Sequence, residues 1–178
     1  SSAVFGKNAF GELRGVHFGG GSWWDITSDT AAPVPGRTQH GFITLMGEAP
    51  LSGTTDIDVT IDGAEALFIN MTTETTWLVK AYVSFVEYDY GVGDFTGVVG
   101  GGEWNGLFFK DKTTHTVSKM IMQARHGNGI APGNIDLTVA VVSGEIVPTV
   151  SIIHTGYTGL VSVVLQYTQT KFQRTPIL

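Results

Sequence analysis

The sequence contains no cysteine, which excludes disulfides, thiol catalysis and zinc–thiolate sites together. Charged residues are also scarce: they make up 15% of the 178 residues, where ordinary soluble domains carry about 25%. The net charge is −6 and Lys and Arg form no cluster, which argues against nucleic acid and anionic membrane surfaces as partners. Apolar residues still reach 42%, so the composition is that of a folded domain with a sizeable core.

Long apolar runs and known catalytic signatures are missing as well. No run approaches the ~20 residues that a membrane-spanning helix needs, and no basic start followed by an apolar stretch marks a signal peptide, so we expect no membrane insertion. The chain has no G-x-S-x-G elbow and no P-loop. Its histidines form no H-x-H or H-E-x-x-H pair, so spacing supports neither a metal nor a cofactor; they are His17, His40, His115, His126 and His154.

The chain is rich in alternating segments instead. From Trp77 to Phe85 every second residue is apolar, while the residues between them are mixed. Successive side chains of an extended strand point to opposite faces, so this pattern predicts a strand with one buried and one partly wet face. Gly, Thr and Val interrupt every candidate helix.

Similar segments recur at regular intervals along the whole chain. They predict an all-β domain over residues 1–178: an antiparallel β-sandwich, jelly-roll-like, of about ten strands. Pro148 inside one segment suggests an edge strand or a bulge. The predicted strands cover residues 12–18, 38–46, 55–61, 66–71, 74–88, 104–110, 115–124, 135–142, 146–154 and 161–168.

Three stretches between these segments, 19–37, 90–103 and 125–133, are predicted to be irregular, and loops on a rigid β scaffold commonly carry binding sites. The glycine-rich stretch 91–102 is framed by aromatic, acidic and amide side chains that can stack on sugar rings and hydrogen-bond to their hydroxyls. The alternative is a hairpin whose aromatics only clamp its base. The candidate ligand-binding residues in this stretch are Tyr88, Tyr90, Asp94, Trp104 and Asn105.

Trp23 and Trp24 follow three glycines and precede Asp25, which is a second candidate for sugar stacking. Neighbouring residues of a strand face opposite ways, so the alternative is that one Trp fills the core and the other caps a neighbour.

Acidic residues suggest two further sites, both with strong alternatives. Asp56, Asp58 and Asp62 alternate on one strand face, but carboxylates spaced along a strand diverge from a single calcium ion, so a solvated face that protects an edge is the favoured interpretation. Glycan hydrolysis needs two carboxylates across a cleft. Residues of this type near the glycine-rich stretch are Glu87, Asp89, Asp94 and Glu103, and an enzyme is the minority interpretation.

Three segments of the second half carry a resemblance: 75–83 (TTWLVKAYV), 134–139 (NIDLTV) and 158–167 (TGLVSVVLQY). These segments, in which a strand opened by Gly is followed by one that ends in alternating Thr and Gln, resemble the β-rich terminal, receptor-binding modules of bacteriophage tail fibres and related virion appendages. The resemblance covers about half of the chain. The resemblance implies a homotrimer on the virion that attaches to a host cell-surface polysaccharide or protein. The chain would then be such a module or the C-terminal fragment of a longer fibre protein.

The composition fits a trimer independently, since a trimer tip buries Thr- and Gly-rich faces against copies of itself. Met120-Ile121-Met122 and Val98-Val99 place apolar residues on both faces of their segments, which predicts a second buried surface against the opposite sheet or a neighbouring chain. Three other interpretations stay open: a monomeric, extracellular carbohydrate-binding module of a polysaccharide-degrading enzyme, a structural capsid or decoration jelly roll, and a glycan-cleaving domain.

Overall fold

The computed structural model describes residues 3–5, 17–24, 33–49, 53–60, 69, 71, 74–154 and 156–171, with side-chain environments for 40–48, 55–60, 69, 71, 74–154 and 156–170. These residues form eleven strands and one short 3-10 helix, Pro132–Asn134. Every described strand pairing is antiparallel except that of β1 with β2, so the all-β, antiparallel class is confirmed. The strands are β1 (Ala3–Phe5), β2 (His17–Trp24), β3 (Pro33–Ala49), β4 (Gly53–Asp58), β5 (Thr75–Asp89), β6 (Asp94–Lys110), β7 (His115–Val117), β8 (Ile121–Asn128), β9 (Ile135–Val142), β10 (Glu145–His154) and β11 (Thr158–Lys171).

The strands form a large and a small sheet. The large sheet has the order β1-β2-β3-β11-β5-β6-β7, with β8 also paired to β6, and the small sheet has the order β4-β10-β9. Buried residues of both sheets belong to one hydrophobic cluster, as the sandwich prediction requires. The jelly-roll strand order stays a prediction.

The alternation along β5 is confirmed in full. Its inward residues are buried, whereas Leu78 and Tyr82 on the other face are exposed. Trp77 stacks on Tyr167 of β11 with ring centroids 4.0 Å apart, and its indole N–H donates to Gln169 Oε1 at 2.7 Å. The inward set of β5 is Trp77, Val79, Ala81, Val83 and Phe85.

Pro148 lies in β10, which is the central strand of the small sheet, so an edge position is wrong. β4 ends at Asp58, which is opposite Thr149, and Val59 N–H beyond it donates to the carbonyl of Pro148 at 3.1 Å. In an antiparallel sheet the nitrogen and the carbonyl of one residue face the same neighbouring strand. The nitrogen of Pro148, which has no hydrogen to donate, therefore faces the chain just beyond Asp58, where the regular pairing with β4 has stopped.

All three stretches that were predicted to be irregular contain strand residues in the structure. Residues 19–24 belong to β2 and 33–37 to β3, all but the first residues of 90–103 belong to β6, and 125–128 belong to β8. Glycine lowers strand propensity, but here the paired neighbours β3 and β5 supply the hydrogen bonds that hold these glycines extended. No helix within the described parts of the chain is long and apolar enough to cross a membrane.

Candidate functional site

The tip of the β5–β6 hairpin is the place where the predicted binding residues come together. Asp89 and Asp94 face each other across the turn, and the Asp89 carboxylate accepts hydrogen bonds from the N–H groups of Gly91, at 2.7 Å, and Val92, at 3.3 Å. Gly93 N–H donates to the carbonyl of Asp89 at 2.7 Å, with Gly93 at φ +77°. An aspartate that bonds the backbone ahead of it fixes a turn, so the tip has a defined conformation.

Three aromatic rings crowd this tip. Tyr88 makes edge-to-face contacts with Tyr90, at 4.9 Å between centroids, and with Phe95, at 5.2 Å. Tyr90 is 63% exposed and Phe95 58% exposed, so both present ring surface to solvent. We call Tyr88, Tyr90, Asp94 and Phe95 the aromatic tip. Its members combine apolar ring faces with a free carboxylate oxygen, the set that the stacking hypothesis requires.

Phe95 is the member that sequence reasoning missed. It lies directly opposite Tyr88 in the ladder, a position where cross-strand aromatic pairs form. Extending the β6 strand back through the glycines to Asp94 would have revealed this pairing.

A buried carboxylate, that of Glu87, connects the strands at the base of the tip. Glu87 is buried at a β-bulge between Val86 and Tyr88, and its oxygens accept hydrogen bonds from Thr96 Oγ1 at 2.8 Å and from Tyr157 N–H at 3.2 Å. His154 Nδ1 lies 3.5 Å from the same carboxylate. Glu87 therefore ties β5, β6, β10 and the start of β11 together at one point.

The four acidic residues predicted near the glycine-rich stretch do not form a hydrolytic pair in a cleft. Asp94 and Glu103 are separated along β6 by roughly 30 Å at ~3.4 Å per residue, far beyond the 6.5–9.5 Å of inverting enzymes. Glu87 is buried and bonded. Asp89 and Asp94 are cross-strand neighbours, but they lie on a projecting turn and Asp89 is engaged by the turn backbone.

Trp104 lies in the core, so its prediction as a stacking residue is corrected. It is 0% exposed and pairs with Ala81 on the inward face of β5. Its indole N–H donates to Asp136 Oδ1 at 3.3 Å, and Asp136 also binds Arg125 Nη2 at 2.7 Å. The Arg125 guanidinium lies 5.7 Å from the Trp104 ring centroid, so the small sheet and β8 close over this side chain.

Asn105 is separated from the aromatic tip as well. It pairs with Lys80 on β5 and with Ile121 on β8, on the outer face of the large sheet. There it lines a shallow groove of about 410 Å³ together with Leu78, Lys80 and Gln166. The prediction had grouped Asn105 with Tyr90 because 91–102 was expected to fold back as a loop.

The remaining sequence candidates lie elsewhere. Trp23 and Trp24 end β2 opposite Val34 and Pro33, and their side chains lie outside the described set. Asp56 and Asp58 are exposed on β4, an edge strand, where they accept hydrogen bonds from Ser151 Oγ and Thr149 Oγ1 of β10. Asp62 lies outside the described residues. Among the described residues no group of three or more His, Asp or Glu side chains is placed to hold a metal ion.

Comparisons with known proteins find structural neighbours only. No protein-family model matches the chain, and no curated protein matches it. The crystal structure of the Acinetobacter baumannii phage AM24 tailspike protein aligns over 72% of this chain with 10% identity and a TM-score of 0.47. The Acinetobacter phage vB_ApiP_P1 tailspike protein aligns over 72% with 8% identity and a TM-score of 0.37. The chain spans 26% and 22% of those proteins, and at these scores the likeness assigns neither family nor function.

Proposed function

We propose that this chain is a non-catalytic attachment module of a phage tail fibre or similar virion appendage, that it acts as a homotrimer, and that it binds a host cell-surface glycan. The observation that carries the binding role is the aromatic tip: a turn held by its own aspartate that presents Tyr90 and Phe95 to solvent beside Asp94. The resemblance of the second half to tail-fibre modules supplies the virion context.

The aromatic tip suits a carbohydrate for a physical reason. Aromatic faces bury the apolar C–H faces of sugar rings, and a carboxylate accepts hydrogen bonds from hydroxyl groups beside them. The edge-to-face contacts of Tyr88 hold Tyr90 and Phe95 before any ligand arrives, so less side-chain entropy is lost on binding.

The trimer is supported by apolar side chains on the outer face of the large sheet. Leu78, 65% exposed, lies opposite Leu107, and Ile121, 64% exposed, lies on β8 beside them. Phe109 continues this patch, which we call the outer apolar patch. Of the segment 120–122, Met120 is buried while Ile121 and Met122 are exposed, so the second buried surface predicted for this segment is assigned to neighbouring chains.

The occupant we assign to the outer apolar patch is a further copy of this chain. The charges bordering it, Lys80 and Glu103, form an ion pair at 2.6 Å and so neutralise each other within one chain. An uncharged apolar surface of this kind can meet copies of itself without like-charge repulsion. Three copies would also raise a weak single-site affinity through avidity.

Light scattering coupled to size exclusion tests the assembly. The expected mass is about three times 19.0 kDa for the wild type and 19.0 kDa for Leu78→Lys, which places an unpaired charge in the patch. Thr44→Lys, an exposed position on β3 of the same face, is the matched control and should stay trimeric. A monomeric wild type would overturn the trimer and favour the monomeric carbohydrate-binding module.

Binding to an array of purified bacterial capsular polysaccharides and O-antigens tests the attachment role. Tyr90→Ala and Phe95→Ala should each weaken binding at least about fivefold, if a ring stacked on a sugar contributes as much as one stacked on a nucleobase, on the order of 1–3 kcal/mol. Phe42→Ala, an exposed phenylalanine on β3, is the matched control and should bind as the wild type does. Release of reducing sugar that is lost in Asp94→Asn would instead support the glycan-cleaving alternative.

A further inference from the structure

A second groove crosses the outer face of the large sheet, away from the aromatic tip. It has a volume of about 560 Å³ and runs along β6 between β5 and β8. Its floor is Gly100-Gly101-Gly102, with Gly127 of β8 beside it. From Val99 to Glu103 the groove extends four residue steps, about 14 Å. We call it the glycine-floored groove.

Close backbone approach requires glycine at this floor. A Cβ on Gly101 would lie 2.2 Å from the carbonyl oxygen of Val83, and one on Gly127 would lie 2.2 Å from that of Ile130. Neither carbonyl can move without breaking the local backbone packing. The floor therefore carries no side chains, and side chains of the neighbouring strands β5 and β8 form its walls.

The walls of the glycine-floored groove are chemically mixed. Tyr82 and Val99 supply apolar surface, and the groove also has polar side chains that both donate and accept hydrogen bonds. Lys80 fixes one wall: its ammonium binds Glu103 at 2.6 Å and lies 5.5 Å from the Tyr82 ring centroid. The polar lining residues are Ser84, Glu103, His126 and Asn128.

We infer that the glycine-floored groove binds a neutral, linear glycan segment lying along β6. A sugar ring fits the flat backbone floor and stacks beside Tyr82, while its hydroxyls exchange hydrogen bonds with the polar walls. Strand addition by a peptide is not available here, because β6 is paired to β5 and β8 along this stretch. The residues that line the groove include no Lys or Arg, and the Lys80 ammonium beside it is paired with Glu103, so the described lining offers no unpaired Lys or Arg to an acidic glycan.

This inference rests on the proposed glycan-binding function and adds a binding subsite and a substrate class. The aromatic tip would bind an exposed end or branch of the glycan, while the groove would bind its extended backbone. Two separate contacts on one polymer raise its affinity without a larger single site.

The test uses the full chain and the same array of neutral and acidic bacterial polysaccharides. Ser84→Trp places a large ring over Gly101, its cross-strand partner, and should weaken the strongest array signal at least tenfold. Thr44→Trp, on the same face two strands away, should leave that signal unchanged. Thermal unfolding and light scattering of both variants check that each one folds and keeps the assembly of the wild type.

Amide NMR of the wild type is a second readout that needs no variant. Adding an oligosaccharide from the strongest neutral array glycan should shift the amide signals of Gly100, Gly101, Gly102 and Gly127. Unshifted glycine signals, or wild-type binding by a folded Ser84→Trp variant, would overturn the binding role of the groove. Either result would leave the role proposed for the aromatic tip unchanged. Binding to acidic glycans alone would overturn the substrate class. A wild type that binds no array glycan would overturn the proposed function itself.

Discussion

The two ends of the β5–β6 hairpin use the same residue types for opposite purposes. Toward its open end Trp77, Trp104 and Phe108 are buried, while at its tip Tyr90 and Phe95 are exposed. The small sheet makes the difference: Asp136 of β9 reaches Trp104, whereas His154, at the end of β10, reaches only as far as Glu87 and Phe85. An aromatic side chain is therefore core or candidate binding surface according to whether the second sheet covers it.

Removing one ring from each end should give the largest contrast. Trp104→Ala opens a cavity in the covered region and should lower the free energy of unfolding by about 3–5 kcal/mol. Tyr90→Ala at the exposed tip should change it by less than about 0.5 kcal/mol. Urea denaturation followed by circular dichroism measures both values. Equal stability of the two variants would show that Trp104 is not the core residue described above.

The junction between the two ends depends on Glu87. Glu87→Ala would leave the hydroxyl of Thr96 and the N–H of Tyr157 without their acceptor, which should cost about 1–3 kcal/mol. Asp94→Ala, an exposed acidic residue of the same hairpin, is the matched control and should be nearly neutral in urea denaturation. If Glu87→Ala left the free energy of unfolding unchanged, the conformation of the tip would depend on its turn alone.

Gly97 lies in β6 between the exposed tip and the covered part of the strand. It has φ +86° opposite the bulge of β5, and nothing lies within 4 Å of a Cβ placed there, so an alanine is opposed only by backbone strain. Gly97→Ala should cost about 1–2 kcal/mol in urea denaturation. Gly133→Ala, which has equally open space and no such φ, should be close to neutral. Equal effects would remove the strain argument.

The buried His115 should make the stability of the fold depend on pH. Burial, with a contribution from the charge of Lys110, lowers the pKa of His115, while the Gly144 backbone and the charge of Glu145 oppose the shift. The Nε2 atom of His115 accepts a hydrogen bond from Met71 N–H at 3.3 Å. Because the folded pKa lies below the unfolded value of about 6.5, the unfolded chain binds more protons below that pH. Stability is complete above it and falls as the pH decreases further.

Thermal unfolding between pH 7.5 and 5 measures this effect. His115→Gln keeps an acceptor for Met71 N–H but does not titrate, so it should flatten the decline by a few degrees. His126→Gln, at an exposed position, should keep the decline of the wild type. An unchanged decline in His115→Gln would assign the pH dependence to other groups.

Local pattern predicted the strands well wherever side chains alternate. The inward face of β5, the turn at Asp111 and the alternation over the first half of β9 match, since each depends on residues near one another in sequence. The prediction failed in the glycine-rich stretches because a strand of glycines has no side-chain pattern and is held extended by hydrogen bonds to its neighbouring strands. That error grouped Trp104 and Asn105 with Tyr90, which the extended β6 keeps apart.

The sequence by itself determined the all-β class and which face of each alternating strand is apolar, because a period of two is a property of the local backbone. Only the tertiary structure decided that Trp104 is core, that Phe95 joins Tyr88 at the tip, and that glycines form a groove floor. Those outcomes depend on the strand register and on the extent of the small sheet, and both are set by contacts between residues far apart in sequence.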